Sequence, residues 1–129
     1  MPRIAHMAIL TRDLERLCDF YERYFGVERG ATYHSVRQPG FVSRFLTFPN
    51  GGSRLEVITI PDLVLLPAGR MVGYAHLAVS IGSREAVTSL AERMRADGVT
   101  VLSEPRVTGD GYFEAVVSDP DGNEVEITD

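Results

Sequence analysis

The chain has 129 residues, 44% hydrophobic and 24% charged, the size and make-up of one globular domain rather than a disordered, collagen-like or coiled-coil chain. Thirteen basic against eighteen acidic residues leave a net charge of −5 and no basic cluster, which argues against nucleic-acid and anionic-membrane partners. No apolar run reaches the ~18–20 residues that span a bilayer, MPRIAHMAIL lacks a signal-peptide layout, and the single cysteine, Cys18, excludes an internal disulfide, so a cytoplasmic protein is expected.

The first predicted element is a strand over Arg3–Leu10, alternating with period two. A helix follows, with Leu14, Leu17, Tyr21, Tyr24 and Phe25 at spacings of three and four. Thr11 or Asp13 is its N-cap and Gly26 its stop. Strands come next near Glu28–Tyr33, Phe41–Phe48 and Arg54–Ile60, the last two joined as a hairpin through Asn50-Gly51-Gly52. A connector, 61–73, carries Pro67 and Gly69, yet its Leu63, Val64, Leu65 and Leu66 are too apolar for a free linker and are expected to pack against something. Then the order recurs: a strand over Tyr74–Ile81, and a helix with Val87, Leu90, Ala91 and Met94 between Ser83 and Gly98. Strands near Thr100–Glu104, Gly111–Ser118 and Asn123–Thr128 complete it, the last two turning at Asp119-Pro120-Asp121-Gly122.

The recurrence is a repeat. Displacing the chain by seventy residues lays Ala5-His6-Met7-Ala8-Ile9 on Ala75-His76-Leu77-Ala78-Val79 without a gap, and Leu55-Glu56-Val57 on Val125-Glu126-Ile127. The chain is therefore read as α+β, two βαβββ modules (1–60 and 74–129) in a single domain spanning 1–129.

Strand parity converts the repeat into chemistry. Met7 and Ile9 share one face of their strand, and His6 points to the other; Leu55 and Val57 likewise leave Glu56 on the far side. The second module repeats this with His76 and Glu126, and in both modules the glutamate follows its histidine by fifty residues. Because helices cover the apolar face, both pairs are expected on the uncovered one. Two imidazole nitrogens and two carboxylates suit a divalent first-row metal with water in the remaining positions. The candidate ligands are His6, Glu56, His76 and Glu126.

These motifs, with FYERYFG closing the first helix, RLEVI, GYAHLAVS and DPDGNEVEI, resemble the vicinal oxygen chelate superfamily of glyoxalases, bleomycin-resistance proteins and extradiol dioxygenases. The resemblance covers the whole chain and is nearest to bacterial glyoxalase I in its His-Glu-His-Glu set. It implies a curved, open, U-shaped mixed sheet with helices outside, one divalent metal per site (nickel, cobalt, zinc, manganese or ferrous iron), a small-molecule substrate and a homodimer. The reaction it implies is proton transfer beside a carbonyl, of isomerase, lyase or epimerase type, with Glu126 and Glu56 doubling as base and acid and the histidines as ligands only. Its alternatives are a ferrous extradiol-type dioxygenase and a protein that sequesters a small molecule such as an antibiotic. In one respect the chain departs from bacterial glyoxalase I. The arginine and asparagine that hold glutathione there, each four residues after a ligand, are Leu10 and Ile60 here.

Other residues carry blander readings. His34 is read as an exposed structural histidine rather than part of a pocket mouth. Arg37, Arg44 and Arg54 are read as surface ion-pairing residues, with a substrate carboxylate or phosphate as the alternative. Tyr112 and Phe113 are read equally as an aromatic wall or as core. Cys18 is expected to be a buried, inert thiol.

Overall fold

The computed structural model describes residues 1–65 and 67–129, and the chain forms two compact units, Met1–Gly69 and Arg70–Asp129. Leu66, part of the apolar connector motif, lies outside the described residues. In the first unit β1 (Met7–Leu10) leads to α1 (Leu14–Phe25), then β2 (Glu28–Arg29), β3 (Tyr33–His34), β4 (Val42–Thr47) and β5 (Arg54–Thr59). The second holds β6 (His76–Ser80), α2 (Arg84–Ala96), β7 (Val101–Val107), β8 (Phe113–Ser118) and β9 (Glu124–Thr128). The fold is α+β, with one mixed sheet per unit. The first runs β1-β5-β4-β2 with β3 also on β4, and the second runs β6-β9-β8-β7. In each, the opening strand lies parallel to the closing one and every other pairing is antiparallel.

Local chemistry sets the helix ends. The Asp13 carboxylate accepts from the Arg16 amide and the Ser83 hydroxyl from the Ala86 amide, satisfying N-terminal donors that have no partner inside the helix. Thr11, the other cap candidate, instead accepts from the Asp13 amide and steadies the approach to the cap. Gly26 ends α1 in the left-handed conformation, φ 63°, which a residue with a Cβ adopts only at a cost. Each helix lays its apolar stripe on its own sheet. Leu17, Cys18 and Tyr21 bury against Leu46, Leu55 and Val57, while Val87, Ala91 and Met94 bury against Ala115, Val117, Val125 and Ile127.

Three strands differ from expectation. Pairing in β1 starts at Met7, opposite Leu55, so partners for Arg3 and Ile4 would fall in the turn before β5. The strand expected over Glu28–Tyr33 is split at Gly30, whose carbonyl accepts from Arg44 and whose amide donates to the Phe45 carbonyl at 2.8 Å. A Cβ on Gly30 would sit 3.2 Å from that carbonyl oxygen, a tight contact that glycine avoids. The third, β7, runs on to Val107 through Pro105. Its pairing with β8 slips twice, and the proline, which has no amide hydrogen, lies within the second slip between Ser103 and Arg106.

A charge network links the flank of α1 to the neighbouring strands. Arg29 reaches Glu15 at 2.7 Å, Asp19 at 2.5 Å and Glu22 at 2.9 Å, and Arg44 meets Glu15 at 2.8 Å. The hydrogen bond from Arg44 holds the Glu15 carboxyl below its ordinary range. Arg44 is thus an ion-pairing residue, as expected. Cys18 is fully buried, and burial pushes its thiol up to about 11. A thiol reagent at pH 8 should therefore label the folded protein about a hundredfold more slowly than the denatured chain. Equal rates would place the thiol at the surface.

Candidate metal centre

Register decides which side chains share the face away from each helix. Opposite residues on neighbouring strands point the same way, so the pairs Ala8–Glu56, Phe45–Glu56 and Leu10–Ile58 put these residues on one face of the first sheet. His6 precedes the first paired residue of β1 and lies level with Arg54. Its Nε2 is 3.4 Å from Glu56 Oε1, and its ring meets Phe45 edge-on at 5.2 Å. Arg54 places its guanidinium 4.4 Å from the centroid of the same ring. In the second unit His76 pairs with Glu124 and Ala78 with Glu126, and His76 Nε2 is 3.1 Å from Glu126 Oε2.

Each unit therefore brings one predicted histidine to its predicted glutamate. Among the described residues, no group of three or more histidine, cysteine, aspartate or glutamate side chains is gathered in a metal-holding cluster. The two pairs have the donor chemistry of metal ligands, and their separations, those of an imidazole–carboxylate contact, are compatible with two donors on one ion. Donors bound at about 2.0–2.2 Å to one ion lie roughly 3.0–3.5 Å apart at octahedral or tetrahedral angles. The observed 3.4 and 3.1 Å fall in that interval. All four side chains keep a solvent-facing part, with the histidines 35% and 39% exposed.

Two residues of these faces were missed in the sequence. Phe45 supports His6 from the neighbouring strand, and only the β4–β5 register reveals it. Glu114 of β8 shares the His76–Glu126 face, and its carboxyl is pushed up by burial and then by its hydrogen bond to Glu126. The alternation with buried Ala115 and Val117 was the signal that could have found it. The remaining candidates are peripheral. His34 is exposed on β3, Tyr112 is 55% exposed, and Phe113 sits on the helix side beneath Arg84.

A match to the Glyoxalase/Bleomycin resistance protein/Dioxygenase superfamily spans residues 3–127. The chain belongs to that superfamily. An uncharacterized protein of Pseudomonas aeruginosa is 30% identical over 98% of this chain and 88% of its own length. The superfamily fold is equally plain in solved structures. A glyoxalase family protein from Enterococcus faecalis superposes with a TM-score of 0.79 at 22% identity, covering 98% of this chain and 97% of its own. The trypanothione-dependent glyoxalase I of Leishmania major gives 0.79 at 23%, over 100% and 87%. Glyoxalase I from Zea mays gives 0.78 at 25%, and there this chain spans 44% of the longer protein. Among the described residues, no helix is long and apolar enough to cross a membrane.

Proposed function

We propose that this superfamily member is a divalent-metal enzyme that moves a proton beside a carbonyl of a small substrate with vicinal oxygens. The observation that carries the reading is the duplicated His–Glu pair, held at 3.4 and 3.1 Å on matching strands of both units. The His6–Glu56 and His76–Glu126 pairs are the proposed metal ligands. When bound, that ion supplies charge that stabilises negative charge developing on a substrate oxygen. Glu126 accepts the proton from the carbon next to the carbonyl, and Glu56 returns one to the adjacent position; carboxylates of two repeated modules can serve opposite faces of a planar intermediate. The histidines serve as ligands only, with Phe45 bracing the ring of His6. Carbonyls that exchange a neighbouring proton, among them 2-oxo compounds and their thiol adducts, define the substrate class.

The test is metal analysis of protein incubated with nickel, cobalt, zinc, manganese or ferrous iron, followed by a screen of thiol–methylglyoxal adducts and other 2-oxo compounds. About one ion per chain and proton exchange in at least one substrate are expected. Oxygen uptake with catechols would replace the reading by a dioxygenase, and tight drug binding without turnover by a sequestering protein.

A homodimer is part of the same proposal. Val64, Leu65, Met71 and Val72 are exposed rather than packed on their own unit, and Leu63 is held to it through its carbonyl, which accepts from Arg12. Exposed apolar side chains of this kind fit a subunit contact. Sedimentation should show a dimer that Leu65→Glu with Val72→Glu dissociates. A wild-type monomer at every concentration would exclude it.

A further inference from the structure

We propose that Arg54 is the anion-binding residue of the site, and that the substrate carries an oxyanion, carboxylate or phosphate, two or three carbons from its chelating oxygens. This rests on the functional reading above only for those oxygens; the anion site stands on the first unit alone.

The two units match in their His–Glu pairs and differ beside them. Two residues before Glu56 on the same strand face stands Arg54, whereas the equivalent position before Glu126 is Glu124. Glu124 has a partner, Arg70, at 3.3 Å. Arg29 and Arg44 have theirs on α1. No carboxylate among the described residues pairs with Arg54, and its contact is the face of Phe45. A repeat that keeps its ligand pairs and reverses the charge next to one of them has departed from symmetry where a substrate would be distinguished end from end.

The contact with Phe45 also bears on what Arg54 can bind. A guanidinium over an aromatic ring is attracted to it by the cation–π interaction, and the ring uses up none of its N–H donors, so they stay open for hydrogen bonds to an anion. Carboxylate and phosphate match the guanidinium fork. The ring that holds Arg54 also holds His6, so both side chains are positioned from one point. Along the strand Arg54 and Glu56 are about 7 Å apart, the reach of a short carbon spacer with its terminal oxygens. At the other end of the face the polarity falls away. Beyond Glu56 on this face comes Ile58, with Leu10 alongside it. The face thus grades from cation through ligands to hydrocarbon, and a substrate would bind it in one orientation.

The experiment uses three probes of equal frame: 2-hydroxyglutarate with a distal carboxylate, 3-phosphoglycerate with a distal phosphate, and 2-hydroxyvalerate with a distal methyl. Each is titrated calorimetrically into the full chain, with and without Ni²⁺. At least one charged probe should bind about 10- to 100-fold more tightly than 2-hydroxyvalerate, and which one does so assigns the anion. Arg54→Gln should abolish that preference while leaving 2-hydroxyvalerate affinity, metal content and melting temperature unchanged. Arg54→Lys should keep part of it, and Phe45→Leu should weaken it about two- to fivefold by freeing the guanidinium. No preference in the wild type, or the same preference in Arg54→Gln, would overturn the proposal. If the wild type takes up no Ni²⁺ the metal reading fails separately, and whether Arg54→Gln loses the metal-free binding of 2-hydroxyglutarate or 3-phosphoglycerate still decides for or against Arg54.

Discussion

His76→Ala should lower metal affinity by at least about 100-fold, since removing a group that merely orients a ligand already costs 10- to 100-fold. The His6→Ala, His76→Ala double variant should retain no metal at stoichiometric loading. Both histidines lie on the face turned away from the helices and are more than a third exposed, so neither replacement opens the core. Stability should change by less than about 1 kcal/mol. Val125→Ala gives the contrast. Its side chain is fully buried against α2, and truncation should cost about 1–3 kcal/mol with metal binding kept in the surviving folded protein. Metal content measured beside a thermal melt separates the two effects. Equal metal in the wild type and the double variant would remove the metal reading altogether.

That experiment works because the two faces of each sheet do different jobs, a division already visible in strand alternation. Leu55 and Val57 bury beneath α1 and Glu56 does not, and the same holds for Val125, Ile127 and Glu126. The cap at Ser83 was legible for the same reason, and that of the first helix was narrowed to Thr11 or Asp13: a short polar side chain just before an apolar periodic run has one local use. What the sequence hid depends on register between distant segments. Nothing near Phe45 in the chain announces that it will stand opposite Glu56 and support both His6 and Arg54. Glu114 looks like any strand glutamate until β8 is laid against β9. Gly30 looks like a strand residue until the carbonyl of Phe45 approaches it. Arg44 and Arg54 were indistinguishable as surface arginines. One lies on the helix side within reach of Glu15, the other lies on the opposite side over a ring, and parity alone does not say which will find a carboxylate.

Glutathione-dependent glyoxalase activity is expected to be weak or absent in this chain, even with metal bound. The glutathione-holding arginine and asparagine of bacterial glyoxalase I correspond to Leu10, which pairs with Ile58 on the same face as Glu56, and to Ile60, just past the end of β5. Leu10 is 50% exposed, so the position is open to solvent and could have carried an arginine without disturbing the core. An apolar wall there leaves the peptide's carboxylate without a partner as water is displaced, a loss of about 1–3 kcal/mol per unsatisfied group. That binding energy would otherwise orient the thiol adduct over the glutamate base, so turnover should suffer along with affinity. Metal-reconstituted wild type should turn over the glutathione–methylglyoxal hemithioacetal well below the ~10⁴–10⁸ M⁻¹s⁻¹ of efficient enzymes. The Leu10→Arg, Ile60→Asn double variant should gain at least about tenfold in kcat/KM by restoring the paired charge. If the wild type is efficient, or the double variant is slower still, the apolar wall is not what excludes glutathione, and the thiol is held by other residues.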